Sequence, residues 1–412
     1  MTNHFYIHIP FCKQKCPYCK FALTPVFDEF KKKRYIEYLK KEIKEYFLLS
    51  SWGTKDLPKE ADSSYCQNNS EVYPVDKKVK TIYFGGGTPS ILTSIEIKEI
   101  LEYFPFYRKT ETEITLESNP EDITEEYILS ILELGINRIS VGVQTLNETS
   151  LKEIHRSNPK SIFDALGSIC SVIARHEAIQ VPDTLDRHIP LHSTRDDDTG
   201  KGNKNRISLN TDFILGLPYT KSGEILQGIQ ELHKSFPNIT HTSVYMLEDE
   251  LYPKYWETNS ISENELKTEF LEIIEYFESI GWNHYEFSNW AKPGYESIHN
   301  RAYWNHSNSR GFGLSGASYE DGKRWNNSSS FTGYYKENRE NEETLTDEQI
   351  EIENMMFGLR TGEWDTHTQT IASKEKIQKL INDGLIEMIE NKIKPTKTGI
   401  FMIDHIMAEL LI

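Results

Sequence analysis

The chain has 412 residues, 37% of them hydrophobic, with 46 basic against 63 acidic side chains and a net charge of −17. That length suits one large domain with an accessory one, or two to three ordinary domains. The charge opposes a phosphate backbone, so nucleic acid is not expected as a partner, and the densest basic run, Lys31-Lys32-Lys33-Arg34, reads as a solvated helix face beside Glu37 and Glu42.

No stretch approaches the roughly 20 apolar residues of a membrane span. The start, MTNHFYIHIP, lacks the basic and apolar regions of an export signal, so a cytoplasmic location without a membrane span is expected.

The first strand-like run, HFYIHIP, leads directly into Cys12, Cys16 and Cys19, three of the five cysteines. Crowded at one end, they do not look like a disulfide framework and suggest metal or catalysis. Structural zinc wants four ligands, and positions 20 and 21 are Lys and Phe, which leaves only a remote fourth ligand. A 4Fe-4S cluster held by three thiolates keeps one iron open to a small molecule.

Helical patterning follows over 28–49, then a polar insertion over 52–78 containing Cys66, which reads as an ordinary loop thiol. The second strand runs into a glycine-rich turn, YFGGGTPS, and the third is EITLESNP. TEEYILSILELG (124–135) reads as a helix with Thr124 as N-cap and Gly135 as its stop. RISVGVQ is the fourth strand, and the helical KSIFDALGSICSVIA after it carries Cys170 on an apolar face.

A second insertion, about 182–206, holds His188 and His192, read as surface residues. ISLNTDFILGLP and HTSVYML complete six βα units, and ENELKTEFLEIIEYFESIG is a further helix. Six such units predict a parallel sheet with covering helices. Turn residues at each strand's carboxyl end favour a partial (β/α)6 barrel of TIM type over a doubly wound sheet.

Residues 1–283 are therefore expected to form the barrel, and 284–344 an irregular, aromatic-rich connecting region containing HNRAYW. The remaining 345–412 are expected to be a smaller, mainly helical domain of winged-helix type. The acidic balance favours packing or substrate covering for it over DNA binding.

The cysteine loop resembles the signature of the radical S-adenosylmethionine (SAM) superfamily. There the open iron binds SAM, and an electron from the cluster cleaves it to a 5'-deoxyadenosyl radical. Further along, Glu117 in TLESNP, Gln144 in SVGVQT, Arg156 in EIHRSN and Asp212 in NTDFILGLP fall at or just beyond strands. With the glycine turn, this ordered series resembles the coproporphyrinogen-oxidase-like branch, with its HemN enzymes and HemW heme chaperones.

The resemblance implies that Cys12, Cys16 and Cys19 hold the cluster. Tyr6 would lie against SAM, Tyr18 would be the aromatic residue between the second and third cysteines, and Gly86, Gly87 and Thr88 would take the aminoacyl end. Glu117 would contact the same molecule, and Gln144, Arg156 and Asp212 match residues that contact a second SAM in the HemN branch.

Within the branch, Phe21 replaces a further cysteine typical of HemN enzymes and only eleven residues precede Cys12; both features point to the HemW type. Lys20 stands where that type usually has Asp. HNRAYW (299–304) resembles a motif linked there to heme, which implies His299 as an axial ligand with Asn300, Tyr303 and Trp304 beside the macrocycle; from the residues alone, a structural His with buried aromatics anchoring the connecting region to the barrel is the alternative. GFGLSGASY resembles a glycine-rich run of the family, with Ser318 in place of its usual His.

Two functions follow from the resemblance. One is a heme chaperone that passes heme to an acceptor protein. The other is an oxygen-independent coproporphyrinogen III dehydrogenase, fed like the first by a low-potential electron donor. The charge argues against a third, tRNA modification.

Overall fold

A computed structural model describes residues 2–25, 28–49, 78–105, 109, 111–180, 206–247, 253–365 and 373–411. Nearly all of both insertions, with Cys66, His188 and His192, lies outside the described residues.

Six strands, β1 (His4–Ile9), β2 (Thr81–Gly86), β3 (Glu113–Ser118), β4 (Arg138–Gln144), β5 (Ser208–Leu215) and β6 (Ile239–Met246), lie side by side in chain order. All five contacts between them are parallel, as the βα alternation predicts. Helices α1 (Glu29–Leu49), α2 (Ser94–Leu101), α3 (Glu125–Glu133), α4 (Pro159–Gln180), α5 (Glu224–Ser235) and α6 (Glu263–Ser279) cover the outside. On α1 the buried Tyr35, Leu39, Ile43 and Phe47 recur every four residues, the stripe that seats a helix on a sheet. Thr124 caps α3 as expected, its hydroxyl accepting from the Tyr127 N–H at 3.1 Å.

Alternate residues of the first four strands belong to the outer core: Phe5, Ile7 and Ile9; Ile82 and Phe84; Ile114 and Leu116; Ile139, Val141 and Val143. The intervening residues face the lumen and are almost all polar. Parallel strands usually read as continuous apolar runs. Here the period-two pattern marks a barrel whose inside is a site rather than a packed core.

Residues 284–344 depart from the expected irregular connector. Strands β7 (Asn283–Glu286) and β8 (Asn289–Ala291) extend the sheet beyond β6 in antiparallel fashion. On the other side β9 (Ser309–Phe312) pairs in parallel with β1, and β10 (Ala317–Glu320), β11 (Lys323–Asn327) and β12 (Arg339–Thr344) follow, giving a 12-stranded sheet. These strands are short, and β9 pairs with a strand some three hundred positions away, so local patterning does not reveal them.

A short helix between these two groups of strands, α7 (Ile298–Trp304), carries HNRAYW. The C-terminal part has helices α8 (Asp347–Arg360), α9 (Lys374–Asn382) and α10 (Ile403–Leu411). A three-stranded sheet, β13 (Trp364–Asp365), β14 (Ile386–Ile389) and β15 (Lys392–Pro395), joins them around its own core of Met355, Leu359, Leu380, Ile393 and Ile406. Among the described residues no helix is long and apolar enough to cross a membrane.

Candidate functional site

The cysteine loop leaves the end of β1 and is closed at its base by parallel pairing of Phe11–Cys12 with Thr24–Pro25. The Thr24 N–H donates to the Pro10 carbonyl at 2.7 Å, and His8 Nε2 lies 2.8 Å from the Ala22 carbonyl oxygen. Cys12 and Cys16 are buried and Cys19 is half-buried, all three as free thiols. Burial pushes the Cys12 thiol up to about 11 and raises Cys19 as well, so a metal must displace their protons on binding.

The glycine turn at the end of β2 packs against this loop. The Gly87 N–H donates to the Ile9 carbonyl at 2.8 Å, and a Cβ at Gly87 would lie 2.7 Å from the Phe11 carbonyl oxygen. Gly86 has a φ of 113°, where an L side chain is strained, and a Cβ there would strike the His8 ring. Thr88, buried, places its hydroxyl 3.1 Å from Cys12 Sγ and accepts from Asn119 Nδ2 at 3.2 Å.

Asn119 is also the partner of Arg156. The half-buried Arg156 guanidinium donates from one arm to Asn119 Oδ1 and through Nε to the Tyr18 hydroxyl at 3.1 Å. One cation thus ties the cysteine loop to the ends of β3 and β4.

Below the loop opens a cavity of about 490 Å³, lined by the three cysteines, Tyr18, Gly86, Gly87, Thr88, Glu117, Gln144, Arg156 and Asp212. Of the residues expected to contact SAM, only Tyr6 is not on its wall; it lies alongside, its ring stacked on Tyr83 at 5.9 Å.

Glu117 accepts from the Tyr83 hydroxyl at 2.8 Å and the Gly86 N–H at 3.2 Å. Burial, against the pull of these donors and with the push of Asp212, raises its carboxyl to about 7. Asp212 is also raised by burial; its oxygens accept from Ser140 Oγ at 2.5 Å and Asn210 Nδ2 at 2.8 Å. Asn210 Oδ1 lies 2.7 Å from His241 Nδ1, and His241 Nε2 lies 2.8 Å from the Tyr285 hydroxyl. These partners fix His241 as a neutral Nδ1–H tautomer with the Tyr285 hydroxyl donating to its Nε2.

The HNRAYW helix lies at the opposite, amino-terminal end of the strands. The Glu113 carboxylate, from the start of β3, accepts from the N–H groups of Ile298 and His299 at 3.0 and 2.9 Å. His299 Nδ1 is 2.7 Å from Thr81 Oγ1 and its Nε2 2.9 Å from the Tyr303 hydroxyl. With the side chain buried, both nitrogens are engaged, and the expected axial ligand has no electron pair open to an iron here.

His299 and Tyr303 instead close the barrel floor, with the His299 ring 5.0 Å from Tyr83. Trp304 turns away and meets Phe357 of α8 edge-on at 5.5 Å. Asn300 alone of the motif lines the cavity.

Among the described residues no three His, Cys, Asp or Glu side chains are gathered to hold a single metal ion. Three separate soft thiols around one cavity match the donor set of an iron–sulfur cluster better than that of lone zinc. Thr115 Oγ1, Ser118 Oγ and Asn289 Oδ1 line the same cavity, buried and without a hydrogen-bond partner. Each such group costs about 1–3 kcal/mol unless something polar meets it, so the wall fits a polar ligand.

Tyr83, Thr115, Asn119, Ser140, Asn210 and His241 were not singled out from the sequence. All but Asn119 sit on the polar phase of the strand alternation, which is the signal that finds them.

A family model of the radical SAM superfamily matches residues 6–174. The chain is 27% identical to the heme chaperone HemW of Lactococcus lactis subsp. lactis (strain IL1403) over 433 residues, covering 100% of this chain and 97% of that one. It is 30% identical to the heme chaperone HemW of Buchnera aphidicola subsp. Schizaphis graminum over 314 residues, 75% of this chain and 68% of the relative. In fold it is similar to the coproporphyrinogen III oxidase HemN from Escherichia coli, with a TM-score of 0.73 and 17% identity over 99% of this chain and 89% of that one.

Proposed function

The chain belongs to the HemW family within the radical SAM superfamily, and from that premise we propose that it is a heme chaperone: it carries a 4Fe-4S cluster and SAM, binds heme and passes it to an acceptor protein. One observation carries this reading. Three thiols, the glycine turn and the buried carboxylates face a single cavity whose wall includes polar atoms lacking partners.

Cys12, Cys16 and Cys19 would hold the cluster, which when bound supplies low-potential one-electron chemistry to SAM. Glu117, beside the Gly86 N–H, is placed to take the ammonium of the aminoacyl group, and a cation there would draw its carboxyl into the ionised form. Arg156 keeps Tyr18 and Asn119 in place and so orients the loop. Gln144 and Asp212 face the deeper lumen, where they would meet whatever lies beyond the first SAM.

The dehydrogenase reading draws on the same lumen, since Glu117, Arg156 and Asp212 remain together around space for an organic ligand. The two readings separate in one experiment on oxygen-free, cluster-reconstituted protein. The chaperone reading expects a Soret band on heme titration and no turnover of coproporphyrinogen III with SAM and a reductant. Turnover without stable heme binding would favour the dehydrogenase. A cluster that persists when Cys12, Cys16 and Cys19 are each replaced by Ala would overturn both.

A further inference from the structure

If His299 is engaged at the floor, heme needs another ligand. The histidines lining the cavity are His155 and His241, and both nitrogens of His241 are taken. His155 is exposed, and its ring nitrogens make no hydrogen bond to any described residue.

The backbone of His155 is held in the left-handed region at a φ of 58°. Its carbonyl accepts from the Gln14 amide of the cysteine loop, and the next residue is the anchored Arg156. The imidazole is therefore carried at the barrel mouth by backbone pinned to the loop.

Apolar side chains also line this cavity. Phe21 is 61% and Tyr245 44% exposed, and both line the cavity with Leu23 and Met246. Large exposed aromatics beside a cavity mark a contact surface for a flat apolar partner. In a chain of charge −17, Lys13, paired with Asp122, and Lys20 stand on that loop, where anionic groups of a ligand would meet them. A cavity of about 490 Å³ is of the size of a small-molecule site, which favours the mouth over the lumen for a tetrapyrrole that shares the barrel with SAM.

We propose that heme binds across the mouth of the barrel, with an imidazole nitrogen of His155 on its iron, Phe21 and Tyr245 against its face, and its propionates toward Lys13 and Lys20. This site rests on the heme-carrying reading above and specifies where that cargo sits.

The test is heme titration of the whole, cluster-loaded chain, followed at the Soret band. His155→Ala is expected to weaken binding by at least about tenfold and to shift the band, with free imidazole restoring its position. Phe21→Ala weakens binding without moving the band, and His299→Gln leaves the band where it was. Wild-type affinity and band position in His155→Ala would overturn the site, as would a band lost only in His299→Gln. A wild-type chain that binds no heme would instead overturn the functional reading, and this site with it.

Discussion

Replacing Glu117 by Gln isolates the electrostatic cost of the lumen. In the folded chain this carboxyl is raised from 4.5 to about 7, first by burial and then by Asp212. As pH climbs above 4.5 the unfolded chain releases this proton while the folded chain keeps it until about 7, so stability falls across that window and stays lower beyond it. At about 1.4 kcal/mol per pH unit, the loss comes to about 3 kcal/mol.

The side chain introduced by Glu117→Gln cannot ionise, yet its oxygen still accepts from Tyr83. The variant should therefore show little pH dependence from this site, and its melting temperature relative to wild type should rise by about 3 °C to 5 °C between pH 5 and pH 8. Differential scanning calorimetry of both proteins, free of cluster and SAM, measures this. A difference that stays flat with pH would refute the idea that Glu117 is protonated in the empty lumen.

Arg156→Lys keeps the charge but cannot reach Tyr18 and Asn119 together; SAM affinity by equilibrium dialysis should drop about tenfold or more with the fold intact. Gly87→Ala puts a Cβ 2.7 Å from the Phe11 carbonyl, a clash with backbone that should cost about 1–3 kcal/mol. Because the displaced strand end leads into Cys12, iron bound per chain should fall with the melting temperature. Trp304→Ala removes the ring that meets Phe357, and amide exchange in α8 should speed up while that of β2 and β3 does not change.

The barrel was readable in the sequence because each strand is long, rich in β-branched or aromatic residues and followed by a turn. The expected runs and the observed strands agree to within one or two residues at most ends. The edge strands were not readable. Segments such as SRGF and NWA have too few residues for periodicity, and the pairing of β9 with β1 joins residues some three hundred positions apart.

The mouth of the site was legible from cysteine spacing and glycine placement, since both answer to local geometry. Its lower half was legible only in part, through Gln144 and Asp212. Ser140, Asn210 and His241 matter through a hydrogen-bonded chain that crosses three strands; the polar phase of each strand marks them as candidates, but not which of them bond to one another. HNRAYW admitted two readings, a heme ligand by resemblance and a structural histidine from the residues alone. A histidine next to aromatics suits iron chemically, but Thr81 and Tyr303 had already claimed its nitrogens.

The closed floor has a consequence for traffic. With His299 and Tyr303 packed at one end of the strands, a ligand that enters from the other end passes the cysteine loop, and whatever arrives last sits outermost. On the proposed site the tetrapyrrole would be the last to arrive and the first to depart, without disturbing what lies beneath it.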